Sequence, residues 1–206
     1  MTPKQPLKVG LTGGIGAGKG LVGAAAPRLG ASFVDADEIA RAQAKPRGVA
    51  YRQIVKAFGK AILSDDQTID RKKLGQIVFR DAAKRRALEK ITHPLVLKEM
   101  RKRMKKAKDV VYCAVPLLFE TGLERHFDLT MTVEAPLAQR IGRVCRRDGL
   151  SRGQVKARMK AQLSEKERSA RADVVLRNSG SKNRFIAEFR SYHGALSLLR
   201  SGAAAK

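Results

Sequence analysis

The sequence predicts a three-layer α/β fold, in which helices cover both faces of a five-stranded parallel sheet. One observation is a set of five short β-rich runs separated by helical or loop material, at residues 7–12, 31–36, 109–115, 128–133 and 172–178. Their near-continuous apolar character is typical of strands that are buried on both faces. A second observation is the glycine-rich stretch GGIGAGKG, which follows the first run directly at residues 13–20.

The glycine-rich stretch fits the phosphate-binding pattern GxxxxGK through Gly13, Gly18 and Lys19. In such a loop the backbone N–H groups surround phosphate oxygens, and the lysine reaches the β and γ phosphates. The pattern normally continues with Ser or Thr, whose hydroxyl binds magnesium, whereas this chain has Gly20. The alternative is a turn that only joins a strand to a helix, and the order of strand, loop and lysine disfavours it.

The first helix is predicted to be short or kinked. Gly20 and Gly23 lower its helix propensity. Pro27 would clash with the carbonyl of Gly23 if the helix continued past it.

Two carboxylates follow the second run, in VDADEIAR at residues 34–41. Ligands of α/β proteins bind at this carboxyl edge of the sheet, and alternate residues of an extended chain point the same way. Asp35 and Asp37 are therefore both expected to face the phosphate site. One can orient or deprotonate an acceptor hydroxyl while the other holds a metal ion or water. Equally, one or both could cap a helix that begins near Glu38.

The segment between the second and third runs shows apolar residues at helical spacing and predicts a helical insertion over residues 40–108. Its last part, KEMRKRMKKAK at 98–108, is predicted to be the solvated end of a helix. The periodic residues are Ile54, Val55, Phe58, Ile62, Leu74, Ile77, Val78, Leu88 and Ile91.

A second helical region follows the fourth run and predicts a lid over residues 143–171. Ser151 can cap a helix with Val155 and Met159 on one face, and Ser164 with Glu167 has capping-box spacing. Arginines recur across the region: Arg140, Arg143, Arg146, Arg147, Arg152, Arg158, Arg168 and Arg171.

The chain is strongly basic, since 43 Lys and Arg against 19 Asp and Glu give a formal net charge of +24. Such a charge favours polyanions, phosphorylated metabolites or anionic membrane surfaces. A nucleic-acid surface is disfavoured, because no nucleic-acid module signature is present and aromatic residues make up only 5%.

The remaining composition predicts a cytoplasmic protein. Cys113 and Cys145 form neither a disulfide framework nor a zinc pattern. The N-terminal residues lack the apolar region of a signal peptide, and no segment has the apolar length of a membrane span. The last residues, 201–206, are expected to be frayed.

Taken together, the motifs of this chain resemble those of the dephospho-coenzyme A kinase family over nearly its whole length. The order and spacing of seven stretches make the resemblance specific. They are GLTGGIGAGK (10–19), VDADEIAR (34–41), ITHPL (91–95), VPLLFETGL (115–123), RRDGLS (146–151), RMKAQ (158–162) and ARADVVLRNSGS (170–181).

The resemblance implies a P-loop NTPase fold in a single kinase domain over residues 1–206, with residues 40–108 as the CoA-binding insertion and 143–171 as the lid. It implies ATP-dependent phosphorylation of the ribose 3′-hydroxyl of dephospho-CoA, the last step of CoA biosynthesis. ATP is the expected phosphoryl donor and Mg²⁺ the expected metal ion. A monomer that needs no nucleic acid or membrane is expected.

The resemblance also assigns roles to residues. Lys19 would clamp the ATP phosphates, Asp37 would act as base, and Asp35 would support it or organise Mg²⁺. Arg143 and Arg147 would neutralise charge on the transferring phosphoryl group. The acceptor side would comprise Asp37, His93, Pro94, Leu117, Phe119 and Glu120. The ATP side would comprise Thr12, Gly13, Gly14, Ile15, Gly16, Ala17, Gly18, Lys19, Gly20, Leu21, Asn178 and Gly180.

Departures from the family pattern leave alternatives open. Gly20 replaces the usual Ser or Thr, and Ala114 stands where relatives often have an acid. The chain could therefore be a catalytically impaired nucleotide- or CoA-binding protein, or another P-loop small-molecule kinase. His93 could be a turn residue, Glu120 could be structural, and the lid arginines could be solvated helix surface.

Overall fold

A five-stranded, fully parallel sheet forms the centre of the computed structural model, which describes residues 5–201. The strand order is β2-β3-β1-β4-β5. The strands are β1 (Leu7–Gly13), β2 (Ser32–Asp35), β3 (Val110–Ala114), β4 (Leu129–Glu134) and β5 (Val174–Arg177). Each lies at one of the five runs expected from the sequence, so the predicted α/β class and parallel sheet are confirmed.

Internal contacts divide the chain into two compact units. The core unit comprises Met1–Asp35 and Met104–Lys206, and the helical unit comprises Ala36–Arg103. Helices of the core unit are α1 (Lys19–Ala25), α6 (Leu137–Asp148), α7 (Arg152–Met159), α8 (Glu165–Arg171) and α9 (Lys182–Ser201). The helical unit contributes α2 (Ala36–Gln43), α3 (Val49–Phe58), α4 (Arg71–Arg80) and most of α5 (Ala82–Lys105).

The core of the first unit is the apolar sheet packed against α1 and α9. All five residues of β3 are buried, as the continuous apolar run predicts. Tyr112 of β3 meets Phe189 of α9 edge to face, with ring centroids 5.2 Å apart. On α1, Val22 is fully buried in the same cluster.

Helix α1 has only seven residues, which confirms the expectation that it is short. The chain passes into a single 3₁₀ turn at Pro27–Leu29, where proline occupies the first position. Gly23 lets α1 approach the sheet closely, because a Cβ there would overlap the ring of Phe33.

The helical unit has a small core of its own. Ala50, Ile54, Ile62 and Leu74 are buried, and residues from α4 and α5 such as Ile77 and Leu88 pack against them. The apolar periodicity of residues 54–91 therefore identified this core. At the end of α5, Met100 and Met104 are buried while most of the surrounding Lys and Arg side chains are exposed, which confirms the solvated helix end.

Two sequence-based interpretations in this unit are wrong. Helix α2 begins at Ala36, close to the helix start near Glu38 that the sequence offered as an alternative, so Asp37 lies in its first turn and not on an extended chain. The alternation that should aim Asp35 and Asp37 in the same direction does not apply. His93 and Pro94 lie inside α5 rather than in a turn. This helix continues through Pro94, which has no N–H to donate to the carbonyl of Lys90.

Helices α7 and α8 begin as the sequence predicts. Ser151 and Gln154 form a complete capping box at α7, and Ser164 and Glu167 form one at α8. Within residues 5–201, no helix combines the length and apolar character of a membrane span. Residues 202–206 of the expected frayed tail lie outside the described part of the chain, and Ser201 ends α9.

Candidate active site

The carboxyl ends of the strands bring the predicted phosphate site and one predicted carboxylate to the same edge of the core unit. Strand β1 runs into the glycine-rich loop at Gly13. In the register of the sheet, Asp35 at the end of β2 is paired with Ala114, which is in turn paired with Leu11 of β1. This is the edge at which open α/β sheets bind ligands.

The loop over residues 13–18 adopts a backbone that requires glycine. Gly13 has φ 143° and Gly18 has φ 118°. A Cβ at Gly13 would overlap the backbone of Val133, and one at Gly18 would overlap the carboxamide of Asn178. Lys19 begins α1, and its Nζ donates to the carbonyl of Gly13 at 2.6 Å. The loop therefore curls around the lysine head at the N-terminus of the helix, as a phosphate cradle does.

Two arginines of α6 hold the outside of this loop. Arg140 is only 6% exposed; its Nε donates to the carbonyl of Ile15 at 3.0 Å, and its guanidinium covers Gly14. Burial, followed by the nearby charge of Arg168, lowers the pKa of Arg140 from its usual range. Arg143 donates to the carbonyls of Gly16 and Ala17 at 3.4 and 3.3 Å.

Arg147, the other arginine assigned to phosphoryl transfer, is placed differently. Its Nε and Nη2 donate to the carboxylate of its neighbour Asp148 at 2.7 and 2.9 Å. This hydrogen bond raises the pKa of Arg147, and the guanidinium is exposed at the end of α6. The structure thus brings Arg143 to the loop, while Arg147 forms a surface ion pair.

Asn178 joins the end of β5 to the phosphate loop. Its backbone N–H donates to the carbonyl of Glu134 at 2.7 Å, and its Nδ2 donates to the carbonyl of Ala17 at 2.7 Å. The side chain is buried, and the neighbouring Gly180 is exposed. Asn178 therefore holds the loop that the sequence associates with ATP.

A buried ion pair lies behind the loop and was not anticipated. Glu134 ends β4, and its carboxylate accepts two hydrogen bonds from Arg168 of α8, both at 2.8 Å. Both side chains are 1% exposed, and Thr132 donates a further bond to Glu134 at 2.8 Å. The sequence feature that could have indicated this pair is Glu134 itself, because a glutamate at the end of a buried apolar strand requires a partner for its charge.

The segment after β3 contacts residues of the arginine-rich helical region that follows β4. Glu120 accepts the backbone N–H of Leu163 through Oε1 at 2.8 Å. Phe119 is 4% exposed, and the guanidinium of Arg171 lies 4.8 Å from its ring centroid. These contacts give Glu120 and Phe119 structural roles whatever they do for a substrate, and Leu117 beside them is half-buried.

Other residues assigned to the acceptor lie in the helical unit. Asp37 occupies the first turn of α2, where its backbone carbonyl accepts from Arg41 at 3.1 Å. His93 and Pro94 are exposed on α5.

Residues that could hold a divalent cation are few. Among the described residues, no three His, Cys, Asp or Glu side chains come together in a metal-binding group. At the sheet edge Asp35 is a carboxylate, whereas its neighbour Ala114 and the helix residue Gly20 carry no ligand. Mg²⁺ in kinases is commonly bound by one or two carboxylates together with substrate phosphates, so Asp35 fits this requirement.

Sequence reasoning missed the roles of Arg140, Gln162, Glu134 and Arg168. Gln162 accepts the N–H of Ile15, and Arg140 donates to the carbonyl of the same residue. Arg140 and Arg168 were visible only as members of an arginine-rich region.

Comparison with known proteins identifies consistent relatives. The sequence model of the family described as dephospho-CoA kinase matches residues 7–184. A dephospho-CoA kinase domain-containing protein from Danio rerio is 44% identical over 179 residues, which cover 84% of this chain and 78% of that protein. The dephospho-CoA kinase of Carboxydothermus hydrogenoformans is 42% identical over 177 residues, covering 84% and 86%. Among solved structures, TT1252 from Thermus thermophilus superposes with a TM-score of 0.81 at 35% identity, covering 94% of this chain and 99% of that one.

Proposed function

Because the chain belongs to the dephospho-CoA kinase family, we propose that it transfers the γ-phosphoryl group of ATP to the ribose 3′-hydroxyl of dephospho-CoA. The products are CoA and ADP. The single observation that carries the proposal is the intact phosphate cradle, in which Gly13 and Gly18 take the conformations that only glycine adopts readily and Lys19 lies across the loop.

Phosphoryl transfer depends mainly on alignment and on stabilising charge at the transferring group. In this proposal the glycine-rich loop, the N-terminus of α1 and the Lys19 ammonium bind the ATP phosphates. The N–H groups of Ile15, Ala17 and Leu21 already donate within the protein, so other N–H groups of this segment make the phosphate contacts. Arg143, already at the carbonyls of Gly16 and Ala17, supplies a second positive charge. Arg147 would have to exchange its ion pair with Asp148 for the phosphoryl group to act in the same way.

On the acceptor side we assign Asp37 as the base for the 3′-hydroxyl. Its place in the first turn of α2 fits this role, because the helix N-terminus favours the ionised carboxylate, which is the form that can accept a proton. Asp35, two residues earlier at the end of β2, would support it. The proposed contacts to the CoA moiety are His93, Pro94, Leu117, Phe119 and Glu120.

Magnesium is the proposed metal ion, with Asp35 as its protein ligand. When bound, it supplies charge neutralisation at the ATP phosphates. The Gly20 side chain offers no oxygen, so the protein would hold this ion with fewer groups than the usual pattern provides. The residues therefore fit a weakly held, ATP-associated cation.

We also propose that the protein works as a monomer in the cytoplasm, on small-molecule substrates and without an obligatory nucleic-acid or membrane partner. Among the described residues Cys113 and Cys145 are free thiols, which suits a reducing compartment. Burial raises the pKa of Cys113 to about 12, so this thiol stays protonated and inert.

A direct assay tests the activity. Purified protein is incubated with ATP, Mg²⁺ and dephospho-CoA, and CoA is detected by mass spectrometry. We expect CoA from the wild-type chain and a fall in rate of about 100-fold or more for Lys19→Ala, since one essential electrostatic contact is lost.

Other outcomes separate the alternatives. A folded protein that binds ATP but forms no CoA would be an impaired nucleotide-binding protein. Phosphorylation of a different hydroxyl compound, with dephospho-CoA left unchanged, would indicate another P-loop kinase. Either result would overturn the proposed reaction.

A further inference from the structure

We propose that Gln162 is a positioning residue, whose carboxamide fastens the lid to the phosphate loop and to the segment after β3. The effect on rate that this predicts rests on the proposed kinase activity. The contacts of Gln162 do not depend on that activity, and hydrogen exchange tests them separately.

Both ends of the Gln162 carboxamide are used. Its Oε1 accepts the backbone N–H of Ile15 at 2.8 Å, and its Nε2 donates to the carbonyl of Pro116 at 3.2 Å. Gln162 lies 147 residues from Ile15 and 46 residues from Pro116 along the chain. One side chain therefore connects three separate segments of the core unit.

Ile15 and Pro116 each accept a second side-chain hydrogen bond through the backbone carbonyl. The carbonyl of Ile15 accepts from Arg140 at 3.0 Å, so both polar groups of this loop residue are fixed by side chains. The carbonyl of Pro116 also accepts from Thr12 Oγ1 at 3.3 Å. Gln162 thus completes a network around the first half of the phosphate loop.

The residue after Gln162 is anchored as well. The N–H of Leu163 donates to Glu120 at 2.8 Å, and its carbonyl accepts from the buried Arg168. Both backbone polar groups of Leu163 are therefore hydrogen-bonded, and the segment between α7 and α8 has a defined position relative to the phosphate loop. A change at Gln162 alters the link to the loop and leaves the anchor at Leu163 in place.

Chemistry at this position requires a glutamine. A carboxamide carries one acceptor and one donor on the same planar group, which matches one N–H and one carbonyl. Glutamate can accept from Ile15 but cannot donate to Pro116 when ionised, and alanine can do neither. Asparagine is one methylene shorter and cannot span the same two groups without movement of the lid.

The expected kinetic effect follows from the contacts to the phosphate loop that remain when the Gln162 carboxamide is removed. After removal of the carboxamide, Asn178 still holds Ala17 and Arg140 still holds Ile15. We therefore expect Gln162→Ala to keep KM for ATP within about threefold and to lower kcat by about tenfold or more, because small displacements of aligned groups cost rate. Gln162→Glu should fall between Gln162→Ala and the wild type.

Gln154→Ala is the matched control. Gln154 lies in the same lid and forms the capping box of α7 with Ser151, so its loss affects helix stability but not the loop. We expect its kcat to stay within about twofold of wild type when both proteins are folded. A Gln162→Ala variant that keeps wild-type kcat, or loses it only in proportion to its unfolded fraction, would overturn the proposal.

Amide hydrogen exchange tests the geometry without any substrate. The Ile15 amide should exchange faster in Gln162→Ala than in wild type or Gln154→Ala, while the Ala17 amide, which donates to Gly14, stays protected. Unchanged exchange of the Ile15 amide would contradict the proposed contact between Gln162 and the phosphate loop. Hydrogen exchange can be measured even if the chain forms no CoA. A failure of the proposed Gln162 contact is therefore distinguishable from a failure of the proposed kinase activity.

Discussion

Single residues decide how well the phosphate cradle can work, and Gly20 is the most informative of them. It is the second residue of α1, outside the positive-φ positions of the loop. Apart from its chain neighbours and the backbone of its own helix, a Cβ at this position would have no atom within 4 Å. The missing hydroxyl is therefore not excluded by the surrounding structure, and the position can be restored by substitution.

Restoring the hydroxyl should improve the enzyme. We expect Gly20→Ser to raise kcat or lower the apparent Mg²⁺ requirement by about threefold or more, because serine adds an oxygen ligand. Steady-state rates over a Mg²⁺ titration measure this.

Gly20→Ala is the control, since it also replaces glycine, gains at least as much helix propensity as serine does, and adds no hydroxyl. If the serine and alanine variants have equal kinetics, the missing ligand does not limit this site.

Elements of the fold are joined by a few strong polar contacts between β4 and its neighbours. Glu134 at the end of β4 pairs with Arg168 of α8 in the interior. At the other end, Asp173 beside β5 accepts the N–H and the hydroxyl of Thr130, both at 2.7 Å. These contacts fix α8 and the edge strand β5, which Asn178 directly follows.

Breaking the buried pair should destabilise the whole fold. Arg168→Met leaves the Glu134 carboxylate buried without its partner, so we expect the free energy of unfolding to fall by about 3–5 kcal/mol. Urea denaturation measures it.

The surface pair of Arg177 and Glu165, 3.7 Å apart and largely exposed, provides the comparison. Arg177→Met should change the free energy of unfolding by less than about 1 kcal/mol. Equal losses of unfolding free energy in Arg168→Met and Arg177→Met would show that burial of the Glu134 pair does not determine its effect on stability.

The Thr130 contact predicts a pH dependence of stability. Hydrogen bonds from the Thr130 hydroxyl, and then from its backbone N–H, lower the pKa of Asp173. A carboxyl whose pKa is lower in the folded state stabilises the protein above its unfolded pKa of about 3.9, and that contribution disappears as the pH falls through the folded pKa.

Asp173 is exposed, so solvent screens its charge, and Asp173→Asn should cost less than about 1 kcal/mol of unfolding free energy at neutral pH. The difference from wild type should shrink once the pH drops below about 4. Denaturation curves over a pH series provide the check. A difference that is constant across the series would contradict the role of the Asp173 charge.

The sequence predicted elements whose pattern is local. Strand β3 and its neighbours were recognisable because buried parallel strands are continuously apolar. The start of α7 was recognisable from Ser151 as an N-cap residue, and the start of α8 from the capping-box spacing of Ser164 and Glu167. The transition from β2 to α2 was not recognisable, since the residues around Asp37 suit a strand end as well as a first helical turn. His93 was mistaken for a possible turn residue because proline usually ends a helix, and α5 nevertheless continues.

At the scale of the whole molecule, the candidate site depends on contacts that no local pattern encodes. Arg140, Gln162 and Asn178 reach the phosphate loop from 125 to 161 residues away. Their identities are visible in the sequence, but their partners are set by the strand order of the sheet. The phosphate loop was therefore predictable from the sequence, whereas the side chains that hold it in place were not.

The net charge of +24 also belongs to this scale. A strongly positive protein attracts anions over its whole surface, which favours the approach of ATP and dephospho-CoA. The charge itself does not select between these and other polyanions, so the assignment of function rests on the cradle and the family.

The most direct test of the central claim follows the γ-phosphoryl group itself. ATP labelled at the γ phosphate is incubated with the protein, Mg²⁺ and dephospho-CoA, and the label is traced by chromatography and mass spectrometry. We predict that the label appears in the 3′-phosphate of CoA, in an amount equal to the ADP formed. Label released only as inorganic phosphate, or ADP formed at the same rate without dephospho-CoA, would contradict the account.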